Sequence, residues 1–391
     1  MSHRSSDSRI NKEILMTSVV ISGTGLYTPS QAISNQELVI SFNQWAEDWN
    51  QQHAQEIAEG RQAAQPLSDP AFIEKASGIQ SRYVMDKAGI LDPQRMKPFL
   101  AERSNDQPSI QAEMAVAAAQ EALQQAGLSA DQIDLVIVAC SNLQRAYPAV
   151  AIEVQQQLGT SGYAFDMNVA CSSATFGIQT GVNAIQAGQA RRVLMVNPEI
   201  CTAHLNFRDR DSHFIFGDAC TAVILEDADL AQAAEQFEVF SSKLMTQFSN
   251  NIRNNAGFLN RCDEAQAQAS DKLFKQEGRK VFKEVCPMVA EMIVQQLAQE
   301  ALEPQQLSRL WLHQANLSMN QLISKRVLGR EATAQEAPVI LDRYANTSSA
   351  GSIIAFHLHR DDLATGAIGV ICSFGAGYSA GCLLVRKRAL S

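Results

Sequence analysis

Apolar strand-like runs alternate with alanine-rich, helix-like segments along this chain. Asp134-Leu-Val-Ile-Val-Ala-Cys140 is apolar at nearly every position, which is typical of a parallel strand buried on both faces. The preceding segment, Ile110–Ala126, predicts a helix that Gly127 would end with a left-handed C-cap. Since so apolar a strand must be covered on both sides, the sequence predicts an α/β protein with helices layered on central sheets.

The alternation occurs twice, so we predict two fused and similar halves. In the first half, strands are predicted at Val19-Val-Ile-Ser-Gly-Thr-Gly25 and at 192–197 and 216–225. In the second half the pattern predicts helices at 279–302 (kinked at Pro287), 318–328 and 349–359, and strands at 310–313, 367–374 and 379–386. The predicted division is an N-terminal half at 17–230 and a C-terminal half at 231–391.

A polar, glutamine-rich stretch interrupts the first half at about 42–108. We interpret it as an insertion that covers the core and lines an entrance, with helical pieces near 36–50 and 69–76. Residues 1–16 are polar with no apolar core segment, so we expect a flexible leader, with Met16 as a candidate start, and not a secretory signal.

Composition narrows the class of protein. The 391 residues exceed one ordinary core, and 46% hydrophobic with 19% charged residues is typical of a globular chain. A net charge of −9 argues against non-specific nucleic-acid binding, and no apolar run is long enough for a membrane helix. The eight cysteines form no C-x-x-C pair, which favours reduced thiols in a cytoplasmic protein.

Cys171 is a candidate catalytic residue within this predicted fold. It follows the apolar run Ala164-Phe-Asp-Met-Asn-Val-Ala170 and opens a small-residue segment, 171–187, that predicts a helix. Unpaired N–H groups and the dipole at a helix N-terminus lower the pKa of a cysteine and would face an acyl oxygen carried on its sulfur. A buried structural cysteine is the alternative, against which the polar neighbours Ser172 and Ser173 argue.

Two more polar motifs stand at predicted strand-to-helix junctions. His313 ends an apolar strand in His313-Gln-Ala-Asn316, and Asn346 opens Asn346-Thr-Ser-Ser-Ala-Gly351. Singly, the histidine could be a satisfied core residue and the asparagine a helix N-cap. Together with Cys171 they supply the residue types that acyl transfer through a thioester requires.

These motifs resemble the β-ketoacyl-[acyl-carrier-protein] synthase III family of the thiolase superfamily. The resemblance runs from about residue 19 to residue 386, interrupted by the insertion. It implies a five-layered αβαβα fold, a homodimer, and a catalytic triad of Cys171, His313 and Asn346. The matching segments are Gly23-Thr-Gly25, Ala76-Ser-Gly-Ile79, the Cys171 segment, Phe216-Gly-Asp218, His313-Gln-Ala-Asn316, Asn346-Thr-Ser348 and Phe374-Gly-Ala-Gly377.

The resemblance also implies a reaction, a decarboxylative Claisen condensation in fatty-acid biosynthesis. Cys171 would attack an acyl-coenzyme A thioester, while the backbone N–H groups of Cys171 and Ala376 hold the acyl oxygen. Malonyl-acyl carrier protein would then lose carbon dioxide, with neutral His313, through Nε2, and the Asn346 amide stabilising its enolate. Acyl-coenzyme A is here a substrate, and neither a cofactor nor a metal is implied.

Binding residues follow from the same resemblance. Arg210 matches an arginine that contacts the coenzyme A nucleotide, although a surface ion pair with neighbouring aspartates is the alternative. Lys325, Arg326 and Arg330 form a basic cluster suited to docking an acidic carrier protein, and a solvated helix face is its alternative. His357-Leu-His359 is interpreted as two helix-face histidines and not as metal ligands.

Some positions depart from the family pattern. Ala376 stands where a glycine is common, Ser318 where an arginine is common, and the tryptophan usual before the Ser-Gly-Ile segment is absent. The insertion takes its place, which alters the entrance. We expect a medium-chain primer such as octanoyl-coenzyme A, as in the subgroup that makes 3-oxodecanoyl-acyl carrier protein.

Rival functions stay open. Head-to-head acyl-coenzyme A condensation or secondary-metabolite ketide formation would use the same triad with another nucleophile donor. A hydroxymethylglutaryl-coenzyme A synthase would need a carboxylate base, and no matching one is found. A Cys/His/Asn thioester hydrolase would give free acid, whereas a non-catalytic partner subunit would not need an intact triad.

Overall fold

The computed structural model describes residues 17–254 and 272–388. The predicted leader, residues 1–16, and Cys262 lie outside the described residues. The strands are β1 (Val19–Tyr27), β2 (Gln31–Ser34), β3 (Ser81–Val84), β4 (Leu135–Ala139), β5 (Tyr163–Met167), β6 (Arg192–Ile200), β7 (Asp218–Asp227), β8 (Phe237–Ser249), β9 (Ile252–Arg253), β10 (Lys275–Gln276), β11 (Leu307–Leu312), β12 (Ile368–Gly375) and β13 (Gly377–Lys387).

The helices alternate with these strands. They are α1 (Asn35–Gln52), α2 (Ala54–Ala58), α3 (Pro70–Ser77), α4 (Lys87–Leu91), α5 (Ile110–Ala126), α6 (Val150–Leu158), α7 (Ser173–Gln186), α8 (Gly278–Gln299), α9 (Leu317–Leu328), α10 (Leu341–Tyr344) and α11 (Ala350–Leu358). Within the described ranges, no helix combines the length and apolarity needed to cross a membrane.

Nine strands follow one hydrogen-bonded order, β11-β12-β13-β8-β1-β7-β6-β4-β5. Five of these strands come from the N-terminal half, namely β1, β7, β6, β4 and β5. The other four come from the C-terminal half, namely β11, β12, β13 and β8. The join is short, because β1 and β8 pair through Val20 with Glu238 and Ile21 with Phe237. β4 runs parallel to β5 and β6, and β11 runs parallel to β12, as the doubly apolar strands predict.

Helices α7 and α11 form a middle layer between the strands of the two halves. α7 contacts β4, β6 and β7 as well as β12 and β13, and α11 contacts β11 and β12 as well as β1, β6 and β7. Helices α5 and α6 cover the outer face of the first half, and α8 packs on β8 and β13 with α9 beside it. The predicted αβαβα arrangement is therefore confirmed.

The middle layer accounts for the composition of α11. Seven successive residues, 350–356, are buried, including Ile353, Ile354 and Phe356. A helix that is apolar all round is suited to a position covered on every side. Trp311 and Ile371 from the second half join the same core cluster as Ile137 and Val193 from the first. The layer thus fixes how the two halves lie against each other.

The insertion is more regular than the sequence suggested. Residues 42–108 contain most of α1, all of α2, α3 and α4, and β3, which pairs with β2. Ser34 and Glu37 form a capping box at the start of α1, and Asp69 caps α3. The predicted helices near 36–50 and 69–76 are confirmed, and the apolar side chains around Phe42 and Ile73 are buried in one cluster with later residues such as Phe207 and Phe214.

Most predicted element positions are confirmed within a few residues. Helix α5 has the predicted bounds, and Gly127 follows it with φ of +69°. The division at residue 230 stays a prediction; β7 ends at Asp227 and β8 begins at Phe237. One boundary is wrong in a way that matters, since α7 begins at Ser173 and not at Cys171.

Candidate active site

Cys171, His313 and Asn346 line one cavity of about 800 Å³. Cys171 lies beyond the carboxyl end of β5, and His313 directly follows β11. Ligand pockets favour such strand ends in α/β folds. The structure therefore brings together the three residues of the predicted triad. Aromatic side chains form much of the cavity wall, namely Phe72, Phe214, Phe216, Phe274, Phe282 and Phe374.

A tight turn presents Cys171 to the cavity. Ala170 has φ of +47°, and the Ser172 and Ser173 N–H groups donate to the carbonyls of Val169 and Ala170 at 3.0 and 3.1 Å. These two N–H groups are thus engaged within the turn, and the helix begins after them. The prediction that Cys171 lies in the first turn of a helix is therefore wrong.

The expected lowering of the Cys171 pKa is also wrong. Although part of its surface reaches the cavity, protein atoms packed around the sulfur desolvate it, and burial raises the pKa of Cys171 to about 11. A hydrogen bond from Ser348 opposes this rise, and the carboxyl group of Glu199 adds to it. Cys171 is consequently a protonated thiol at neutral pH in the free protein.

The segment around Gly375 and Ala376 closes against the sulfur. The backbone N–H groups of Ala376 and of Cys171 itself hydrogen-bond the sulfur, which lowers the pKa of Cys171 against the effect of burial. A Cβ atom at Gly375 would lie 2.6 Å from the Cys171 Cβ and 2.9 Å from its Sγ, so this approach requires glycine. The two N–H groups predicted for the oxyanion hole therefore meet at Cys171.

His313 is buried beside this sulfur-bearing turn. Its backbone N–H donates to the Cys372 carbonyl at 2.8 Å, and its ring meets Phe374 edge-on at 5.2 Å. Burial lowers the pKa of His313 to about 4, and hydrogen bonding to the Ser348 backbone opposes this shift. Nδ1 has no hydrogen-bond partner within the described part of the chain. His313 is therefore a neutral imidazole at physiological pH.

Asn346 is held by backbone from the other half of the chain. Its N–H donates to the Ile215 carbonyl at 2.9 Å, and its carbonyl accepts from the Gly217 N–H at 3.1 Å. Its Oδ1 accepts from the Ser348 N–H at 2.8 Å. Because this donor engages the amide oxygen, the Nδ2 group is the end of the amide left to donate into the cavity.

A buried carboxyl group lies behind these residues. Glu199 is fully buried and accepts hydrogen bonds from the N–H and hydroxyl of Ser141 at 2.9 and 2.6 Å. It also accepts from the N–H and hydroxyl of Ser349, which follows Ser348 in the Asn346 motif. Burial raises the pKa of Glu199. Glu199 thus ties the Asn346 motif to the loop after β4.

Arg210 lies at the rim of the cavity. Its guanidinium stacks on the Phe72 ring, 4.0 Å from the ring centroid, and its Nε donates to the Leu67 carbonyl at 2.6 Å. Phe72 and Asp211 line the cavity. The insertion, which contributes Phe72 and Leu67, therefore holds Arg210 in place.

The basic cluster lies farther away: Lys325 and Arg326 are in the last turn of α9, and Arg330 follows the helix. Ser318 and Met319, in the first turn, line the cavity, and Lys325 is about 10 Å farther along the helix axis. Lys325 pairs with Glu331 at 2.5 Å and Arg330 with Glu336 at 2.5 Å, both at exposed positions. Arg326 is exposed beside them on α9.

Sequence reasoning missed four residues at this site. Arg279, at the start of α8, lines the cavity. Ser348, Glu199 and Gly375 touch or face the reacting groups, as described above. The Gly375-Ala-Gly377 loop and the serine within the Asn346 motif were visible in the sequence, whereas the burial of Glu199 has no local sequence signal.

In the described residues, no three His, Cys, Asp or Glu side chains are grouped to hold a metal ion.

Comparison with known families gives two matches. Residues 165–247 match the family described as 3-oxoacyl-[acyl-carrier-protein (ACP)] synthase III. Residues 297–387 match a second family, described as 3-oxoacyl-[acyl-carrier-protein (ACP)] synthase III C terminal. The first range contains Cys171, and the second contains His313 and Asn346. All three residues of the predicted triad thus lie in matched regions.

Individual proteins extend the likeness over most of the chain. The beta-ketodecanoyl-[acyl-carrier-protein] synthase of Pseudomonas aeruginosa is 68% identical over 347 residues, which cover 89% of this chain and 99% of that protein. A beta-ketoacyl-[acyl-carrier-protein] synthase III of Clostridium perfringens is 28% identical, with 95% of this chain and 100% of that protein covered.

Solved structures show the same fold. A 3-oxoacyl-[acyl-carrier-protein] synthase III from Aquifex aeolicus has a TM-score of 0.73 at 22% identity, over 94% of this chain and 99% of that one. The synthase III from Pseudomonas aeruginosa has a TM-score of 0.73 at 21% identity, over 96% and 99%.

Titration of His313 tests the electrostatics of this site. Because burial lowers its pKa to about 4, the imidazole should stay neutral from pH 8 down to pH 6 and gain its proton only in more acidic solution. The measurement is the pH dependence of the His313 ring signals by NMR, assigned by their loss in His313→Gln. A midpoint between pH 6 and 7 would contradict the described burial.

Proposed function

The chain belongs to the 3-oxoacyl-[acyl-carrier-protein] synthase III family, and on that premise we propose that it condenses an acyl-coenzyme A primer with malonyl-acyl carrier protein. The product is a 3-oxoacyl-acyl carrier protein, and the enzyme is an acyltransferase of fatty-acid biosynthesis. The observation that carries the proposal is the meeting of Cys171, His313 and Asn346 in one cavity. No cofactor is needed for this chemistry.

In the first step, Cys171 Sγ attacks the carbonyl carbon of the acyl-coenzyme A thioester. The N–H groups of Cys171 and Ala376 stabilise the negative oxygen of the tetrahedral intermediate, since both converge on the sulfur. The bond to coenzyme A sulfur then breaks, and coenzyme A leaves as a thiolate that takes up a proton from solvent in place of the one that Cys171 released before attack. An acyl-Cys171 thioester and free coenzyme A result.

In the second step, the malonyl thioester loses carbon dioxide and its carbonyl becomes an enolate. Neutral His313 and the Nδ2 group of Asn346 donate hydrogen bonds to the enolate oxygen. The enolate carbon attacks the acyl carbon on Cys171, a carbon–carbon bond forms, and the Cys171 thiolate leaves. Both donors suit this task because neither has to change its charge at neutral pH.

A thioester hydrolase with the same residues is less well supported. Such an enzyme needs its histidine to remove the cysteine proton. The pKa of His313 is lowered to about 4 and that of Cys171 is raised to about 11, which makes His313 a poorly matched base for this thiol. The electrostatics therefore favour condensation over hydrolysis.

A medium-chain primer is the proposed first substrate. The support is the 68% identity to a protein named beta-ketodecanoyl-[acyl-carrier-protein] synthase, whose product would arise from an octanoyl primer. Arg210, held at the rim by Phe72, is proposed to contact the coenzyme A nucleotide.

The acidic carrier protein is proposed to dock on the basic cluster of Lys325, Arg326 and Arg330. Glu331 already pairs with Lys325, and Glu336 with Arg330, so these two carboxylates compete with the carrier protein.

We also propose a homodimer in the cytoplasm. Strand β5 stands at one end of the nine-stranded order, and its residues are exposed or half-buried, with Tyr163 41% exposed. An open strand edge is the kind of surface that a second copy covers.

The cytoplasm is proposed on separate grounds. The cysteines that the structure describes are free thiols, which a reducing compartment preserves.

Incubation with octanoyl-coenzyme A tests the first step. One octanoyl mass should add to the protein, and Cys171→Ala should abolish the adduct, because among the described residues Cys171 is the one thiol that lines the cavity. Intact-protein mass spectrometry gives the measurement. Cys286→Ala, a buried thiol on α8, is the matched control and should acylate normally. An unchanged adduct in Cys171→Ala would contradict the assignment, and faster loading by acetyl-coenzyme A would contradict the primer.

Asn346→Asp tests the second step. Aspartate can still accept the Ser348 N–H, so the turn is kept, but it offers an anionic oxygen where the enolate needs a donor. We expect normal acyl-Cys171 formation and a condensation rate reduced by roughly 10²–10³-fold, the typical cost of losing one oxyanion donor. The two rates are measured separately by mass spectrometry and product formation. Equal losses in both steps would show that Asn346 has no separate role in the second.

A further inference from the structure

Ser348 contacts two residues of the proposed triad and lies near the third. Its hydroxyl donates to the Cys171 sulfur at 3.4 Å, and its N–H donates to Asn346 Oδ1 at 2.8 Å. Its backbone raises the pKa of His313 against the effect of burial. Ser348 is 2% exposed, so these contacts form away from bulk water.

The turn around Ser348 is held rigidly from both sides. Ser348 itself has φ of +50°, in the left-handed region that side chains rarely adopt. Asn346 before it is paired with the backbone of Ile215 and Gly217, and Ser349 after it donates to the buried Glu199 carboxyl group. A conformation that is unfavourable for serine persists here because its neighbours fix it. The main chain that carries the hydroxyl is thus fixed next to Cys171.

The hydroxyl matters when Cys171 carries negative charge. A thiol is a weak hydrogen-bond acceptor, whereas a thiolate is a strong one, so a fixed donor favours the thiolate over the thiol. The titratable groups near Cys171 are Glu199 and Cys201, which interact with it electrostatically, and His313, which lines the same cavity. Glu199 disfavours a thiolate and His313 is neutral, which leaves hydrogen-bond donors to stabilise the charge.

We propose that Ser348 is a further catalytic residue, whose hydroxyl donates to the Cys171 sulfur when that sulfur is a thiolate. This role rests on the proposed function, in which Cys171 is the nucleophile. The thiolate occurs twice in that reaction, as the attacking group in the first step and as the leaving group in the second. One fixed donor therefore assists both steps. Cys171 releases its proton to solvent before attack and regains one from solvent after the second step, and Ser348 keeps its own.

Alkylation by iodoacetamide tests the proposal without any natural substrate. The rate is followed at the Cys171 peptide by mass spectrometry between pH 7 and 9, in Ser348→Ala and Ser348→Gly. Glycine accepts the left-handed conformation, so Ser348→Gly removes the hydroxyl without backbone strain. Ser352→Ala is the matched control, because its buried hydroxyl lies on the same motif's helix and contacts Ser373 instead.

Loss of one hydrogen bond to a charged group lowers the thiolate fraction roughly tenfold. The remaining thiolate is more basic and more nucleophilic, so alkylation should slow by about three- to fourfold at each pH. Both Ser348 variants should show this shift, with unfolding temperatures close to that of the parent, while Ser352→Ala should alkylate normally.

Three results would overturn the proposal. Unchanged rates in both Ser348 variants would exclude the hydroxyl as a donor. Slow alkylation in Ser348→Ala with a normal rate in Ser348→Gly would show that the hydroxyl is not required, because both variants lack it. An equal loss in Ser352→Ala would make it a general effect of removing a buried hydroxyl. Since acylation is not involved, failure here leaves the proposed condensation to be tested by its own adduct assay.

Discussion

Two backbone hydrogen bonds between the halves of the chain underlie the whole site. The Asn346 N–H and carbonyl pair with Ile215 and Gly217 at 2.9 and 3.1 Å, which makes Asn346 a parallel bridge partner of Phe216. Gly217 allows this approach, because a Cβ atom there would lie 2.3 Å from the Tyr344 carbonyl oxygen. Backbone from the half that carries Cys171 therefore holds the main chain of Asn346 at the cavity.

Burial of Cys171 and His313 sets the charge states of their side chains. It raises the pKa of Cys171 to about 11 and lowers that of His313 to about 4, so both groups are neutral at rest. A neutral thiol and a neutral imidazole form no ion pair, unlike the thiolate–imidazolium pair of a thiol hydrolase. Negative charge appears only during reaction, where the N–H groups of Cys171 and Ala376, and the donors on His313 and Asn346, are already aimed. In the proposed mechanism, fixed donors in a desolvated site are thus the principal source of catalysis.

The sequence predicted the layers and the three motifs because both depend on local pattern. Strands apolar on both faces require cover on both faces, and the His313-Gln-Ala-Asn316 motif contains its own helix cap, with Asn316 Oδ1 accepting from Ser318. The predicted pKa of Cys171 was wrong because it depends first on burial of the sulfur and then on Glu199, which is distant in sequence. The helices of the insertion were partly visible in the Ser34–Glu37 capping box, yet its packing around Phe42 depends on residues beyond residue 200.

A single-turnover chase tests the central claim, that Cys171 carries the acyl group while His313 and Asn346 serve the second substrate. The protein is loaded with isotopically labelled octanoyl-coenzyme A, freed of excess, and mixed with malonyl-acyl carrier protein. The label should leave Cys171 at the same rate at which labelled 3-oxodecanoyl-acyl carrier protein appears. Release of the label as free octanoate, independent of the malonyl substrate, would contradict the account.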